Sequence, residues 1–208
     1  MQFPSGRVLR DLTRPLSPGT PVYPGDPSIR FRAHAEYADH GYRVTELTLG
    51  THAGTHLDAP AHFLPAGAGV EALPLTALIG PARVADLADP VLTVTPGERL
   101  LLKSGWSARW GEPEYFEQFP GLPEPLAERL AAAPAALVGL ETPSLHPDAD
   151  TDTRLHRLLL AAGVVIVENL VGLSDLPDQI DLLALPLPLL GLDGSPCRVI
   201  ALLETDHE

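Results

Sequence analysis

Twenty-three prolines and eighteen glycines break up a chain of 208 residues. Proline fixes φ and removes a backbone donor, and glycine loosens the chain, so long helices have little room. The segments between these breakers are short, which predicts a sheet-rich fold with many loops. Residues 7–12 (RVLRDL) read as a first strand. Residues 28–37, where Ile29, Phe31 and Ala33 alternate with polar neighbours, read as a half-buried strand, and 42–50 (YRVTELTLG) as another. Further strands fall at 82–87, 99–103, 136–140 and 164–173, the last apolar on both faces; LLALPLPLL and CRVIALL complete the sheet. Two helices are expected. Residues 125–133 carry Pro125 near the start, and 150–163 have capping candidates at Asp150–Asp152, apolar Leu155, Leu158, Leu159 and Ala162, and Gly163 as a stop. The predicted class is α+β, mostly β with a few helices, in one domain over 1–208, because no internal repeat or linker tract divides the chain.

Hydrophobic residues make up 45% of the chain, enough for a sizeable core. The formal net charge is −13, which argues against nucleic acid and anionic lipid as partners, since both demand Lys and Arg. A single cysteine, Cys197, rules out an internal disulfide and fits a reducing cytoplasm; in SPCRVIALL it reads as a buried, inert thiol. The N-terminal MQFPSGRVLRDLT lacks the apolar core of a signal peptide, and no run of eighteen apolar residues suggests a membrane span.

Against this background, THAGTHLDAPAHF (51–63) places His52, His56, Asp58 and His62 among small residues. A straight strand would put all four on one face but spread them over ~33 Å, too far for one ion. A helix is disfavoured by Gly54, Thr55 and Pro60. The remaining geometry is a chain that curls round a site, with Gly54 allowing tight curvature and Pro60 fixing a bend. Imidazoles plus a carboxylate suit Zn²⁺ or Mn²⁺. The bland alternative is four polar loop residues with satisfied hydrogen bonds. A second anomaly is Glu168, which interrupts the apolar run VVIVENLV; an ionised carboxylate there costs several kcal/mol unless a positive charge compensates it. An arginine partner or a strand end at the surface would also account for it. His156 lies on the preceding helix, and a helix-to-strand reversal can bring it near Glu168; the alternative is an ordinary position on an amphipathic helix.

These residues carry a resemblance. His52-Ala-Gly54-Thr55-His56-Leu-Asp58-Ala-Pro60-Ala-His62 is similar to the HxGTHxDxPxH signature of the cyclase family, which includes bacterial kynurenine formamidases (arylformamidases) and isatin hydrolases. DLTRPLSPGTPVYPGDP, GLETPSLHPDADTDTRLHRLLLAAGVVIVENLVGL and LPLPLLGLDGSPCRVIAL also resemble family segments, so the likeness covers most of the chain. It implies a swivelling β/β/α fold, a homodimer or homotetramer, and a hydrolase with two divalent ions, Zn²⁺ or Mn²⁺. By this resemblance His52, His56 and Asp58 hold one ion, Asp58, His156 and Glu168 the other, and His62 is the acid/base. Tyr23 stands where formamidases tend to have a Trp against the substrate ring. The family's usual Asp before TPS is Glu141 here, and GWSARWG (105–111) looks more like general members of the family.

The implied reaction is hydrolysis of N-formylkynurenine to kynurenine and formate, as in tryptophan catabolism, with other aryl formamides or cyclic amides such as isatin as alternative substrates. Divalent metal lowers the pKa of a bound water towards ~7, and an imidazole with a pKa near 6.5 suits the proton transfers. A non-catalytic metal- or ligand-binding protein is the competing class. Ser144 and Ser195 lack the context of a nucleophilic serine. The segment GLDGSP (191–196) reads as a turn beside the site, with Gly194 and Ser195 as candidate backbone donors. His146 is a candidate for the pocket wall; His34, His40 and His207 read as surface residues. The aromatic segment Trp106, Trp110, Tyr115 and Phe116 reads as core or interface packing, with a pocket wall as the second reading.

Overall fold

The computed structural model describes residues 6–204. Ten strands follow one another: β1 (Arg7–Asp11), β2 (Arg30–Ala35), β3 (Val44–Thr48), β4 (His56–Asp58), β5 (Ile79–Asp86), β6 (Arg99–Lys103), β7 (Leu137–Leu140), β8 (Val165–Glu168), β9 (Gln179–Pro186) and β10 (Gly194–Glu204). Helices are few: the single turns α1 (Tyr37–His40) and α2 (Leu75–Leu78), and the longer α3 (Glu124–Ala132) and α4 (Ala149–Ala161). Short 3-10 turns fill several loops. The mostly-β, α+β expectation holds. No helix among the described residues is long and apolar enough to cross a membrane.

The main sheet runs β1-β10-β4-β8-β7-β6-β5-β9, and β9 pairs again with β10, so seven strands close into a ring and β1 extends one edge of β10. Strands β5 to β8 are parallel neighbours. Parallel pairing needs crossovers, and α3 and α4 supply those from β6 to β7 and from β7 to β8. Side chains alternate between two cores. Leu57, Leu101, Leu137, Val165, Val167 and Val199 pack inside the ring. Leu100, Leu102, Val138, Leu140 and Ile166 face outward, against Leu126 and Leu130 of α3 and Leu155 and Leu159 of α4. Strand β8 is therefore buried on both faces, as its apolar run implies.

Three element readings need correction. The strand expected over 164–173 ends at Glu168, because Asn169 turns into the left-handed region (φ 59°). Helix α4 is capped by Asp148, whose carboxylate accepts from Thr151 N at 2.9 Å; Asp150 and Asp152 sit in its first turn, where their charge favours the helix dipole. Strands β2 and β3 form a separate two-stranded arm with the expected alternation, yet its apolar face is bare: Phe31 opposite Leu47 is 42% exposed and Leu47 59%. Alternation reveals which face is apolar; it does not say that this chain covers it.

Candidate metal centre

Strand β4 lies between β10 and β8, with His56 opposite Glu168 and Asp58 opposite Ile166. Leu57 and Val167 point into the ring, so His56, Asp58 and Glu168 point outward, beneath α4. Helix α4 is clamped by Leu155 and Leu159 and presents His156 on the same side. Ahead of β4 the chain bends at Gly54 (φ 64°), an angle that strains other residues, and a Cβ there would lie 2.4 Å from Leu16 Cδ2 and displace that side chain. This bend carries His52 back over Asp58. After β4, Pro60 opens a 3-10 turn that ends at His62 and lays its ring on that of His52, with centroids 3.9 Å apart.

The resulting cluster is dense and buried. His56, Asp58, His156 and Glu168 are each no more than 3% exposed. Asp58 Oδ1 lies 2.9 Å from His52 Nδ1 and 3.5 Å from His56 Nε2, while its Oδ2 lies 3.4 Å from His156 Nε2. Glu168 spans the same two rings, 3.3 Å from His56 Nε2 and 3.3 Å from His156 Nε2. Both rings have their other nitrogen engaged: His56 Nδ1 meets Gly54 O and His156 Nδ1 meets Asp152 O, each at 2.9 Å. A carbonyl can only accept, so Nδ1 carries the proton in both rings. In the neutral rings the Nε2 lone pairs then face carboxylate lone pairs. Asp58 Oδ2 and Glu168 Oε1 are buried without a hydrogen-bond partner. A cluster of acceptors facing one another needs a cation, and the donor set of imidazoles and carboxylates suits a borderline divalent ion. Three groups bring ligand atoms within 4.8 Å of one another: His52, His56 and Asp58; Asp58, His156 and Glu168; and His52, His62 and Asp193.

The electrostatics fit that reading. Burial works against the charge on Asp58, but the positive charge of protonated His156 and His52 beside it outweighs this and holds the carboxyl well below its usual range. Burial lowers His52, yet Asp58 and Asp193 raise it to about 9. His156 is likewise raised well above the usual imidazole value by Asp152, Asp58 and Glu168, against the pull of burial. His62 moves the other way: burial lowers it, and the charge of Asp58 does not offset this.

A cavity of about 210 Å³ opens above the cluster, larger than the ~150 Å³ that holds a benzene. His52, His56, His62, His156 and Glu168 line its floor, and Tyr23, Phe63, Trp110 and Phe116 its walls. Tyr23 meets the edge of Phe116, with centroids 5.8 Å apart. The aromatic segment thus divides: Trp110 and Phe116 face the pocket, Tyr115 is fully buried, and Trp106 donates to Tyr115 O. Ser144 lines the pocket but donates to Asp152, and Ser195 Oγ is buried and takes Leu187 N. Glu141 accepts from Ser104 N, Gly105 N and Ser107 Oγ, so it braces a loop. Cys197 is buried, and its thiol is pushed up to about 12. His146 is not among the lining residues; it packs over Gly121. His34 and His40 are exposed, and His207 lies outside the described residues.

The turn expected over GLDGSP is present up to Asp193, but Gly194 and Ser195 lie in strand rather than turn. They open β10, opposite Asp58 and Leu57. The residue before them, Asp193, is the one that reaches the site, 3.0 Å from His52 Nε2. No spacing in the sequence marks Asp193, because it joins the cluster from the other end of the chain; the available signal is one acid amid the apolar turn GLDGSP.

Comparison with known proteins shows the family. Residues 10–147 match the family model Cyclase, described as "Putative cyclase". The chain belongs to the cyclase family. A kynurenine formamidase of Salinibacter ruber (strain DSM 13855 / M31) is 34% identical over 205 residues, covering 93% of this chain and 96% of that protein. A kynurenine formamidase of Geobacillus thermodenitrificans (strain NG80-2) is 36% identical over 199 residues, covering 90% and 94%. A solved structure described as a "predicted metal-dependent hydrolase" from Bacillus stearothermophilus is 29% identical, with a TM-score of 0.80, covering 94% of this chain and 98% of that one.

Proposed function

We propose that this cyclase-family hydrolase cleaves the formamide bond of N-formylkynurenine, giving kynurenine and formate, at a centre of two divalent ions. The observation that carries the reading is the pair of orphaned carboxylate oxygens, on Asp58 and Glu168, both facing the Nε2 of His156 at the floor of an aromatic-walled cavity. An open cavity above the donor set suits catalysis better than a closed structural site. His52, His56 and Asp58 would hold one ion and Asp58, His156 and Glu168 the other, with zinc first and manganese second by ligand chemistry. When bound, such ions polarise a carbonyl and make a coordinated water acidic near neutral pH.

The chain's own residues do the rest. Tyr23, Trp110 and Phe116 offer ring faces and edges to an aryl group. That contact positions the formyl carbon over the floor and excludes bulk water. His62, lowered by burial and therefore neutral at physiological pH, takes a proton from the attacking water at a ring nitrogen. It returns that proton to the leaving aniline nitrogen as the carbon–nitrogen bond breaks, so water is consumed and formate and amine are released. We place the protein in the cytoplasm, supported by its lone, buried cysteine.

The test is hydrolysis of N-formylkynurenine, isatin and simple aryl formamides by enzyme loaded separately with zinc and manganese, alongside chelated enzyme. The reading expects N-formylkynurenine to have the highest kcat/KM and chelation to abolish turnover. Full activity after exhaustive chelation would overturn it.

A further inference from the structure

The three candidate ligand histidines, His52, His56 and His156, are not held alike. His56 and His156 give their Nδ1–H to backbone carbonyls and direct Nε2 at the carboxylates. His52 is reversed: its Nδ1 lies 2.9 Å from Asp58 Oδ1, and its Nε2 lies 3.0 Å from Asp193 Oδ2. A carboxylate accepts only, so without metal each contact calls for a proton, on Nε2 towards Asp193 and on Nδ1 towards Asp58. An ion shared with Asp58 would take the place of the Nδ1 proton and leave Nε2–H on Asp193.

Asp193 is itself fixed. Its Oδ1 accepts from Thr51 Oγ1 at 3.0 Å, and its backbone carbonyl accepts from Ala59 N at 2.9 Å, one residue beyond Asp58. The His52 ring is also caged. A Cβ on Gly194 would lie 2.8 Å from its Cε1, so that face rests on bare backbone, and the His62 ring stacks at 3.9 Å. Gly194 follows Asp193 directly, so one short segment supplies both the hydrogen-bond acceptor and the space for the ring.

We propose that Asp193 is a positioning residue: braced by Thr51, it holds the Nε2–H of His52 and so presents Nδ1, rather than Nε2, to the metal. Orienting carboxylates of this kind fix the tautomer and ring plane of a metal-bound imidazole and raise its basicity. The assignment deepens the metal reading above and rests on it.

The test compares wild type with Asp193→Ala and Asp193→Asn. Zinc affinity is measured by chelator competition, the cobalt-substituted proteins by visible absorption, and the histidine tautomers of the zinc-loaded wild type by nitrogen-15 NMR. Asp193→Ala should weaken zinc binding about 10–100-fold and alter the cobalt bands. Asparagine has the same shape, and its amide oxygen accepts the same hydrogen bond, so Asp193→Asn should stay within about threefold of wild type. The NMR spectra should show His52 protonated at Nε2, and His56 and His156 at Nδ1. Unchanged affinity and bands in Asp193→Ala, equal losses in both variants, or a His52 proton on Nδ1 would each overturn the assignment. Wild-type protein that takes up neither metal would instead sink the metal centre itself.

Discussion

Each oxygen of Asp58 faces a different set of imidazoles, His52 and His56 on one side and His156 on the other. A buried carboxylate placed in this way is stable only with positive charge on both sides. Without metal, protons supply it, which is why His52 and His156 are both raised. The sign follows from a folded-state pKa above the unfolded value of 6.5: the stabilisation from His52 is fully present below about pH 6.5 and is lost as pH rises through about 9. Chelated protein should therefore melt at a lower temperature at pH 9 than at pH 6.5, and zinc-loaded protein should lose that dependence because a cation replaces the protons. Scanning calorimetry at both pH values checks this; a flat profile in the chelated protein would contradict it. His62 belongs to the same cluster yet is lowered, and its nearest carboxylate oxygen, on Asp193, is 3.7 Å from Nδ1. His62→Ala should retain the metal content of wild type while kcat falls about 10²–10⁴-fold, the usual contribution of a positioned acid/base. Metal analysis beside the assay separates the two effects, and loss of metal would make His62 a ligand.

At the scale of elements, the site depends on a bend and a helix. The signature stretch is three different structures in thirteen residues: a tight loop, a three-residue strand and a 3-10 turn. Gly54 allows the first bend and also supplies the carbonyl that fixes the His56 tautomer. Gly54→Ala forces an L side chain to φ 64° and into Leu16, so denaturant unfolding should show a loss of about 1–3 kcal/mol, together with weaker metal binding. A change within ~0.5 kcal/mol, typical of an ordinary surface substitution, would mean that the loop relaxes freely. Helix α4 was legible from its 3.6-residue apolar period, and that period is what turns His156 to the strands beside Leu155 and Leu159. Its cap was misread because three acids crowd one turn and only geometry shows which of them meets a backbone N–H. Strand β8 was read too long because apolar runs do not record backbone handedness, and Asn169 reverses the chain while remaining buried.

For the whole molecule, the arm formed by β2 and β3 is the unfinished part. One face carries the Arg32–Glu46 ion pair and the other carries Phe31 and Leu47, both exposed. Tyr37 and Tyr42, at its tip, are 70% and 55% exposed. An amphipathic ribbon with its apolar side in water favours association, and we propose that a second copy of the chain covers it, in a dimer or tetramer. Light scattering coupled to size exclusion should give a mass above that of one chain, and Leu47→Asp should reduce it. A wild-type monomer at all concentrations would contradict the assembly. The arm ends at Thr48, three residues before Thr51, so a contact made there borders the loop that carries His52.

Local order decided what could be read from the sequence alone. The breaker density limits helix and favours sheet, the alternations mark the strands, and the signature stretch groups His52, His56, Asp58 and His62 because its small residues force curvature within a dozen positions. The charge anomaly at Glu168 was legible because ionised groups in apolar runs are costly. What separates along the chain was not legible. The pairing of β4 with β10, the outward turn of β4 and β8 beneath α4, and the arrival of Asp193 beside His52 all join residues more than a hundred positions apart or set which face a strand presents. Such contacts leave no spacing in the sequence, since the free energy that selects them comes from the packing of the whole ring and not from any one segment.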